Sequence, residues 1–167
     1  MTRFCIVTVL LLAWTIPVPA GELKIGDPFP SLTFEDQNAR PRILDGSLRF
    51  LVFAPDRASS QIVTQAFTGQ NAGTLQARGI AYVADIKEMP SAIASLFALP
   101  KMRKQPYPIL LGRKSADTAV FPRQAGHVGV IGLDRGRVAT MVFLSAASGI
   151  RQALVLDAAP KKSRIAQ

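Results

Sequence analysis

Hydrophobic and polar positions along this chain follow two periods, one near two residues and one near 3.6. After the turn residues Gly26, Asp27, Pro28 and Pro30, Leu32 and Phe34 alternate with polar neighbours and predict a short strand over 31–34. The polar turn Glu35-Asp36-Gln37-Asn38-Ala39 and a return strand over 42–44 complete a hairpin. The continuous apolar run over 48–54 predicts a strand buried on both faces, stopped by Pro55 and Asp56. The period then changes. Ile62, Val63, Ala66 and Phe67 fall at helical spacing, with Ser59 or Ser60 as the N-cap. Gly69 and Gly73 break that helix, which resumes near Leu75.

The second half repeats the alternation. A buried strand spans 80–85, and Pro90-Ser91 start a helix through Phe97 on which Ile93, Leu96 and Phe97 share one face. The stretch 101–108 is basic and irregular, 109–111 is a short strand and 112–117 a turn. Strands over 128–133 and 137–143 flank the Asp134-Arg135-Gly136 turn and form the clearest hairpin in the chain. A closing helix over 146–156 turns Ile150, Leu154 and Leu156 inward. The order hairpin, β, α, β, α, hairpin, α predicts an α/β fold, a mixed β-sheet with helices on both faces and an N-terminal β-hairpin.

The ends differ from this domain. Arg3 precedes a nearly unbroken apolar run from Phe4 to Ile16, and Val18-Pro19-Ala20 follows with small residues at 18 and 20. This predicts a secretory signal peptide over 1–20, cleaved after Ala20, because a spanning helix needs ~20 apolar residues. The domain then occupies 21–157, and 158–167 form a basic, flexible tail. A periplasmic or secreted location follows.

Composition sharpens the chemistry by exclusion. With 167 residues, 49% hydrophobic and 19% charged, the chain is one ordinary globular domain. Its one cysteine is Cys5, inside the apolar leader, so a chain cut after Ala20 contains no thiol. Disulfide exchange, thiol peroxidation and thiolate metal sites are then excluded. One histidine and no cysteine make no zinc, copper or haem site of the usual kind. Gly126, Gly129 and Gly132 lie inside an apolar strand rather than in a dinucleotide loop, so no cofactor is expected.

The segment Ile25-Gly26-Asp27-Pro28-Phe29-Pro30, followed by Leu32-Thr33-Phe34-Glu35-Asp36-Gln37-Asn38, resembles the thioredoxin-like superfamily, in particular its peroxiredoxin-type and TlpA-type periplasmic branch. Leu51-Val52-Phe53-Ala54 resembles the strand that leads to that family's redox loop. The resemblance implies a thioredoxin-like fold, with a Cys-x-x-Cys pair on the loop and a cis-proline before the last hairpin. Here the loop reads Pro55-Asp56-Arg57-Ala58-Ser59-Ser60-Gln61, and the proline position falls at Gly126-His127. Both parts of the redox site are missing.

Two groups of residues remain as candidates. Asp56, Arg57, Ser59, Ser60 and His127 surround the vacated loop, which the layout places opposite Gly126-His127 across a shallow cleft at the carboxyl ends of the strands, where open α/β sheets bind ligands. Arg57 and a helix N-terminus there suit a small anion, whereas the serines alone can do no more than cap the helix. The residue types of a Ser–His–Asp set are present in Ser59 or Ser60, His127 and Asp56, but no Gly-x-Ser-x-Gly elbow surrounds either serine. The second group is basic. Lys101, Arg103, Lys104, Arg113, Lys114 and Arg123 stand against a single acid, Asp117, and the net charge is +9. Such a patch attracts an acidic protein or an anionic membrane surface, or simply keeps the protein soluble. Nucleic acid is not expected, since only Tyr107 interleaves these charges.

The reading is of an exported thioredoxin-like protein without thiol redox activity, with a non-catalytic role in binding a periplasmic protein or small anionic ligand. The alternatives are an enzyme with non-thiol chemistry at the former redox loop, or a basic structural protein of the envelope.

Overall fold

The computed structural model describes residues 21–156. The predicted leader, its cleavage point and the basic tail lie outside them. Strands β1 (Leu32–Asp36), β2 (Pro41–Leu44), β3 (Phe50–Ala54), β4 (Ile80–Asp85), β5 (Leu110–Gly112), β6 (Val128–Asp134) and β7 (Arg137–Leu144) form one seven-stranded sheet in the order β2-β1-β5-β4-β3-β6-β7. β3, β4 and β5 run parallel, and the other pairings are antiparallel. The N-terminal hairpin joins the sheet through β5, with Glu35 opposite Leu111.

Strand β3 shows why the sheet needs two covers. Successive side chains point to opposite faces, so Val52 and Ala54 pack into one core while Leu51 and Phe53 pack into the other. All four are fully buried. The first core holds Val63 and Phe67 of α1 (Arg57–Ala66) and its C-cap, Leu75 of α2 (Ala72–Ala77), and Ile150 of α6 (Ala147–Ala153). Phe67 meets Tyr82 and Tyr107 edge-on, with ring centroids 5.9 and 5.3 Å away. The second core is closed by Leu23 and Phe29 and by Phe121, whose ring lies 5.1 Å from Phe53. The helices of the two faces are therefore unequal, since only the four-residue α5 (Ser115–Thr118) precedes Phe121.

The predicted hairpin over the last strands forms, with a two-residue connection in place of the expected three-residue turn, because Asp134 pairs with Arg137 in the ladder. Arg135 (φ 49°) and Gly136 (φ 76°) both take left-handed conformations, as a type I′ turn requires. Leu154 and Leu156 are buried as predicted, although α6 itself ends at Ala153.

Two elements differ from the sequence pattern. The first is the helix after Ser91. It does not stop at Phe97 but continues as α3 (Ser91–Ile93), a π-helical segment (Ala94–Ala98) and α4 (Leu99–Arg103). Pro100 has no N–H to give the preceding turn, which ordinarily ends a helix. The wider π turn, in which Leu99 N–H reaches Ala94 O, carries the chain past it. The second is the turn 35–39, in which two of the polar residues point inward while Glu35 and Asn38 face solvent. Asp36 and Gln37 are buried. Gln37 Nε2 donates to Tyr107 O at 2.9 Å, Gln37 Oε1 accepts from Ile109 N–H at 2.8 Å, and Arg103 Nε donates to Gln37 O at 3.0 Å. This clasp holds the otherwise irregular 104–109 stretch against the hairpin.

Candidate functional site at the carboxyl ends of β3 and β4

The chain leaves β3 at Ala54 and enters α1 through Asp56. Asp56 is the N-cap: its Oδ1 accepts the Ser59 N–H at 2.8 Å, and the Asp56 N–H donates to Ser59 Oγ at 3.1 Å. This reciprocal capping box satisfies two backbone donors at once. The cap is thus the aspartate. Neither serine has that role, because the helix begins three or four residues earlier than a cap at Ser59 or Ser60 would set it. Ser59 sits at the third helical position, fully buried, with its hydroxyl donating to Asp56. Ser60 turns to the buried Tyr82 hydroxyl, and its carbonyl accepts from Thr64 Oγ1 at 3.0 Å.

The second carboxylate oxygen crosses to the next loop. Asp56 Oδ2 accepts the Gly126 N–H at 2.8 Å. The two loops predicted to face each other across a cleft are in direct contact there. Gly126 has φ +70°, a conformation open to glycine and strained for other residues. Burial pushes the Asp56 carboxyl up, but the hydrogen bonds from Ser59, Gly126 and Ala58 outweigh it and hold the group below the usual aspartate range. His127 does not complete a triad. Its Nδ1 lies 2.9 Å from Ala125 O, and the Asp56 oxygens serve Ser59 and Gly126.

Beside this closed end a groove opens between α1 and the α3–α4 stretch. It holds a cavity of about 270 Å³. Arg57, Ser60, Gln61 and Thr64 line it from α1, Ile86 and Met89 from the loop after β4, and Ile93, Phe97, Ala98, Lys101 and Met102 from the facing helix. A second cavity continues it toward Pro55, sharing Arg57, Asp85, Ile86, Met89 and Ile93. The larger cavity of about 360 Å³ lies at the opposite end of the sheet, near Gly79 and Leu48. The groove is mostly apolar, with a cation at each side. Among the described residues neither Arg57 nor Lys101 takes part in an ion pair.

The carboxylate that both cavities share, Asp85, is surrounded by cations, and Asp56 and Glu88 line only the second cavity. Asp85, with a side chain 1% exposed, accepts from Arg123 Nη1 at 2.6 Å and from Thr118 Oγ1 at 3.0 Å, and Lys87 Nζ lies 3.8 Å away. Arg123 also lies over the Phe53 ring, its guanidinium carbon 5.2 Å from the centroid. Burial raises Tyr82 and Tyr107 above the ordinary phenol range, so both stay protonated beneath α1. The Tyr107 hydroxyl approaches Thr64 without closing a hydrogen bond to it.

The six basic residues of the second candidate group do not act alike. Arg123 is spent on Asp85 and Arg103 on the Gln37 carbonyl, while Arg113 Nε lies 3.7 Å from Glu35. Lys114 sits at the start of α5, where its N–H donates to Asp117. Lys101 and Lys104, on and just after α4, remain as exposed cations, as does the Lys114 ammonium, since only the backbone N–H of that residue is engaged.

Sequence reasoning named the loop but missed the groove beside it. A signal was present in α1: Arg57, Ser60, Gln61 and Thr64 recur at i, i+3, i+4 and i+7, a polar stripe opposite the apolar one. The facing wall was hidden, because Met102 comes to line the same cavity as Met89 only when the helix runs on past Pro100. Among the described residues no group of three or more His, Cys, Asp or Glu side chains comes together, and no helix is long and apolar enough to cross a membrane.

No protein-family model matches this chain, and no curated protein matches it. Solved structures do. A thiol:disulfide interchange protein DsbE from Chlorobium tepidum, so assigned, is similar at TM-score 0.56 and 19% identity, over 81% of this chain and 98% of that one. A peroxiredoxin-like protein from Aquifex aeolicus is similar at TM-score 0.51 and 16% identity, over 82% and 89%. Peroxidoxin BcpB from Mycobacterium tuberculosis is similar at TM-score 0.51 and 15% identity, over 83% and 99%. At these identities the likeness speaks for the fold, which is thioredoxin-like.

Proposed function

We propose that this is an exported binding protein without thiol redox activity, which holds a small amphipathic anion in the groove between α1 and the α3–α4 helix. One observation carries the reading. The helix end that follows β3 is closed by the Asp56–Ser59 box and bonded to Gly126, while an apolar groove with two cations that form no ion pair among the described residues opens directly beside it. A hydrocarbon or aromatic body fits against Met89, Phe97 and Met102, and a carboxylate or similar head reaches Arg57 or Lys101. Asp85 does not repel it, because Arg123 and Lys87 balance that charge. The export half of the reading rests on the apolar segment before Gly21, and the redox half on Cys5 being the sole cysteine.

The test uses the protein purified from its native compartment. Its N-terminus is sequenced, its insulin-reductase and thiol-peroxidase activities are assayed, and octanoate and 4-phenylbutyrate are titrated against it. Gly21 at the N-terminus, no turnover and saturable binding are expected. Reductase turnover, or retention of Cys5, would sink the redox half; absence of saturable binding by either acid would sink the ligand half.

A further inference from the structure

The helical stretch from Ser91 to Arg103 has two apolar faces. One is inward: Ala94 and Leu99 are buried, and Met102 packs on the first core. The other points to solvent. Ile93, Leu96 and Phe97 are 49%, 68% and 62% exposed. Their i, i+3, i+4 spacing places them together on one turn. Single exposed apolar residues are ordinary, but three adjoining large ones mark a contact surface.

Charge selects the partner. No acidic residue occurs between Glu88 and Asp117, and Lys101 and Lys104 follow the apolar turn. Both are exposed, and neither takes part in an ion pair among the described residues. A protein interface of standard size buries ~800 Å² on each side, more than three side chains of at most ~150–250 Å² supply. A lipid surface asks for less. Apolar tips enter the boundary between headgroups and chains, and each lysine near an anionic leaflet shifts partitioning roughly fivefold.

We propose that Ile93, Leu96 and Phe97, with Lys101 and Lys104, dock this protein on an anionic phospholipid surface. Ile93 and Phe97 also wall the groove, so docking holds the groove against the bilayer. Contact is reversible, since one apolar turn is a much weaker anchor than a spanning helix.

The test is co-sedimentation with vesicles of phosphatidylcholine alone or containing phosphatidylglycerol. It is run on the full chain and on the chain from Gly21, because the apolar run over 4–16 can itself enter lipid. The informative variants are Leu96→Ser and Lys104→Glu, neither of which lines the groove. The chain from Gly21 is expected to bind the anionic vesicles only, and less as salt shortens the electrostatic reach from ~10 Å at 0.1 M to ~3 Å at 1 M. Each variant is expected to lower partitioning roughly tenfold with an unchanged melting temperature and unchanged octanoate binding. Binding lost on removing residues 1–20 but unaffected by either variant overturns the proposal. So does a concentration-dependent dimer that Leu96→Ser dissolves, since the face then belongs to a second copy.

Discussion

The Asp56 carboxylate pins Gly126: one oxygen closes α1 by accepting from Ser59, and the other accepts the Gly126 N–H at 2.8 Å. A single side chain thus joins the loop after β3 to the loop before β6. Removing it has two effects. Loss of an N-cap costs ~0.5–2 kcal/mol, and the Gly126 N–H loses its acceptor as well. Asp56→Ala is therefore expected to destabilise more than Ser59→Ala, which leaves the Gly126 bond in place. Thermal melts order the two variants. For a chain of this size ~1 kcal/mol corresponds to roughly 2–4 °C. Equal melting temperatures would show that the Gly126 bond contributes nothing.

Acid should release the same contact. Burial raises Asp56, but its hydrogen bonds bring the carboxyl below the ordinary value, and Asp36 is held low in the same way by Arg40, Asn38 and Arg42. A carboxyl depressed in the folded state stabilises fully above its unfolded pKa, about 3.9, and that contribution is lost as pH falls through the lower folded value. Asp56→Asn keeps a capping oxygen but offers no charge and only one acceptor. The wild type is expected to exceed it in stability at pH 6, and the gap to close as pH drops below about 4. Urea titrations of both proteins at several pH values measure it; a gap that persists at pH 2 contradicts the assignment.

Much of this fold is legible in the sequence, and the unread parts share a cause. Strand β4 matches its predicted bounds, Ile80–Asp85, because an apolar run in a sheet interior is a local signal. The last hairpin is equally local, with Arg135-Gly136 setting its turn. The loop after β3 is legible too, since its position follows from strand order. What the sequence hides is where a polar side chain finds its partner. Gln37 looks like a turn residue until Tyr107 and Ile109 are brought to it. Arg123 looks like one more surface cation, yet it is bonded to a buried aspartate far away in the chain. The helix across Pro100 depends on a π turn, and no propensity at 94–98 announces one.

That hidden ion pair makes the strongest stability prediction. Asp85 Oδ2 accepts from Arg123 at 2.6 Å with its side chain 1% exposed, and Arg123 bonds Thr118 as well. Removing Arg123 leaves the buried Asp85 carboxylate with Thr118 and with Lys87, 3.8 Å away, and forfeits a charged hydrogen bond worth ~1.5–3 kcal/mol. Arg123→Ala is expected to fall in that range, whereas Lys104→Ala, a surface change, stays within ~0.5 kcal/mol. The double variant Arg123→Met/Asp85→Asn is expected to recover much of the loss. Chemical denaturation reads all three, and an Arg123→Ala variant as stable as Lys104→Ala would return Arg123 to the surface group.

Ligand length tests the groove itself. An apolar chain lying against Met89, Phe97 and Met102 gains ~0.8 kcal/mol for each buried methylene, about fourfold in affinity. The cavity is finite, at about 270 Å³, so that gain must stop once the groove is full. Affinity for straight-chain carboxylates is expected to rise steadily with length and then level. The head group adds a separate, weaker effect. Arg57 and Lys101 are exposed, and exposed ion pairs are worth ~0.2–1 kcal/mol. Arg57→Ala and Lys101→Ala should each lower affinity up to about fivefold at every chain length, move the level point not at all, and leave the melting temperature unchanged. Salt should imitate these variants. Phe97→Ala, in contrast, should flatten the length dependence while leaving the salt dependence alone. Isothermal titration across the series separates the two slopes. Affinity that ignores chain length, or a level point that shifts with Arg57, would mean that the acids bind as bare anions elsewhere on this basic surface.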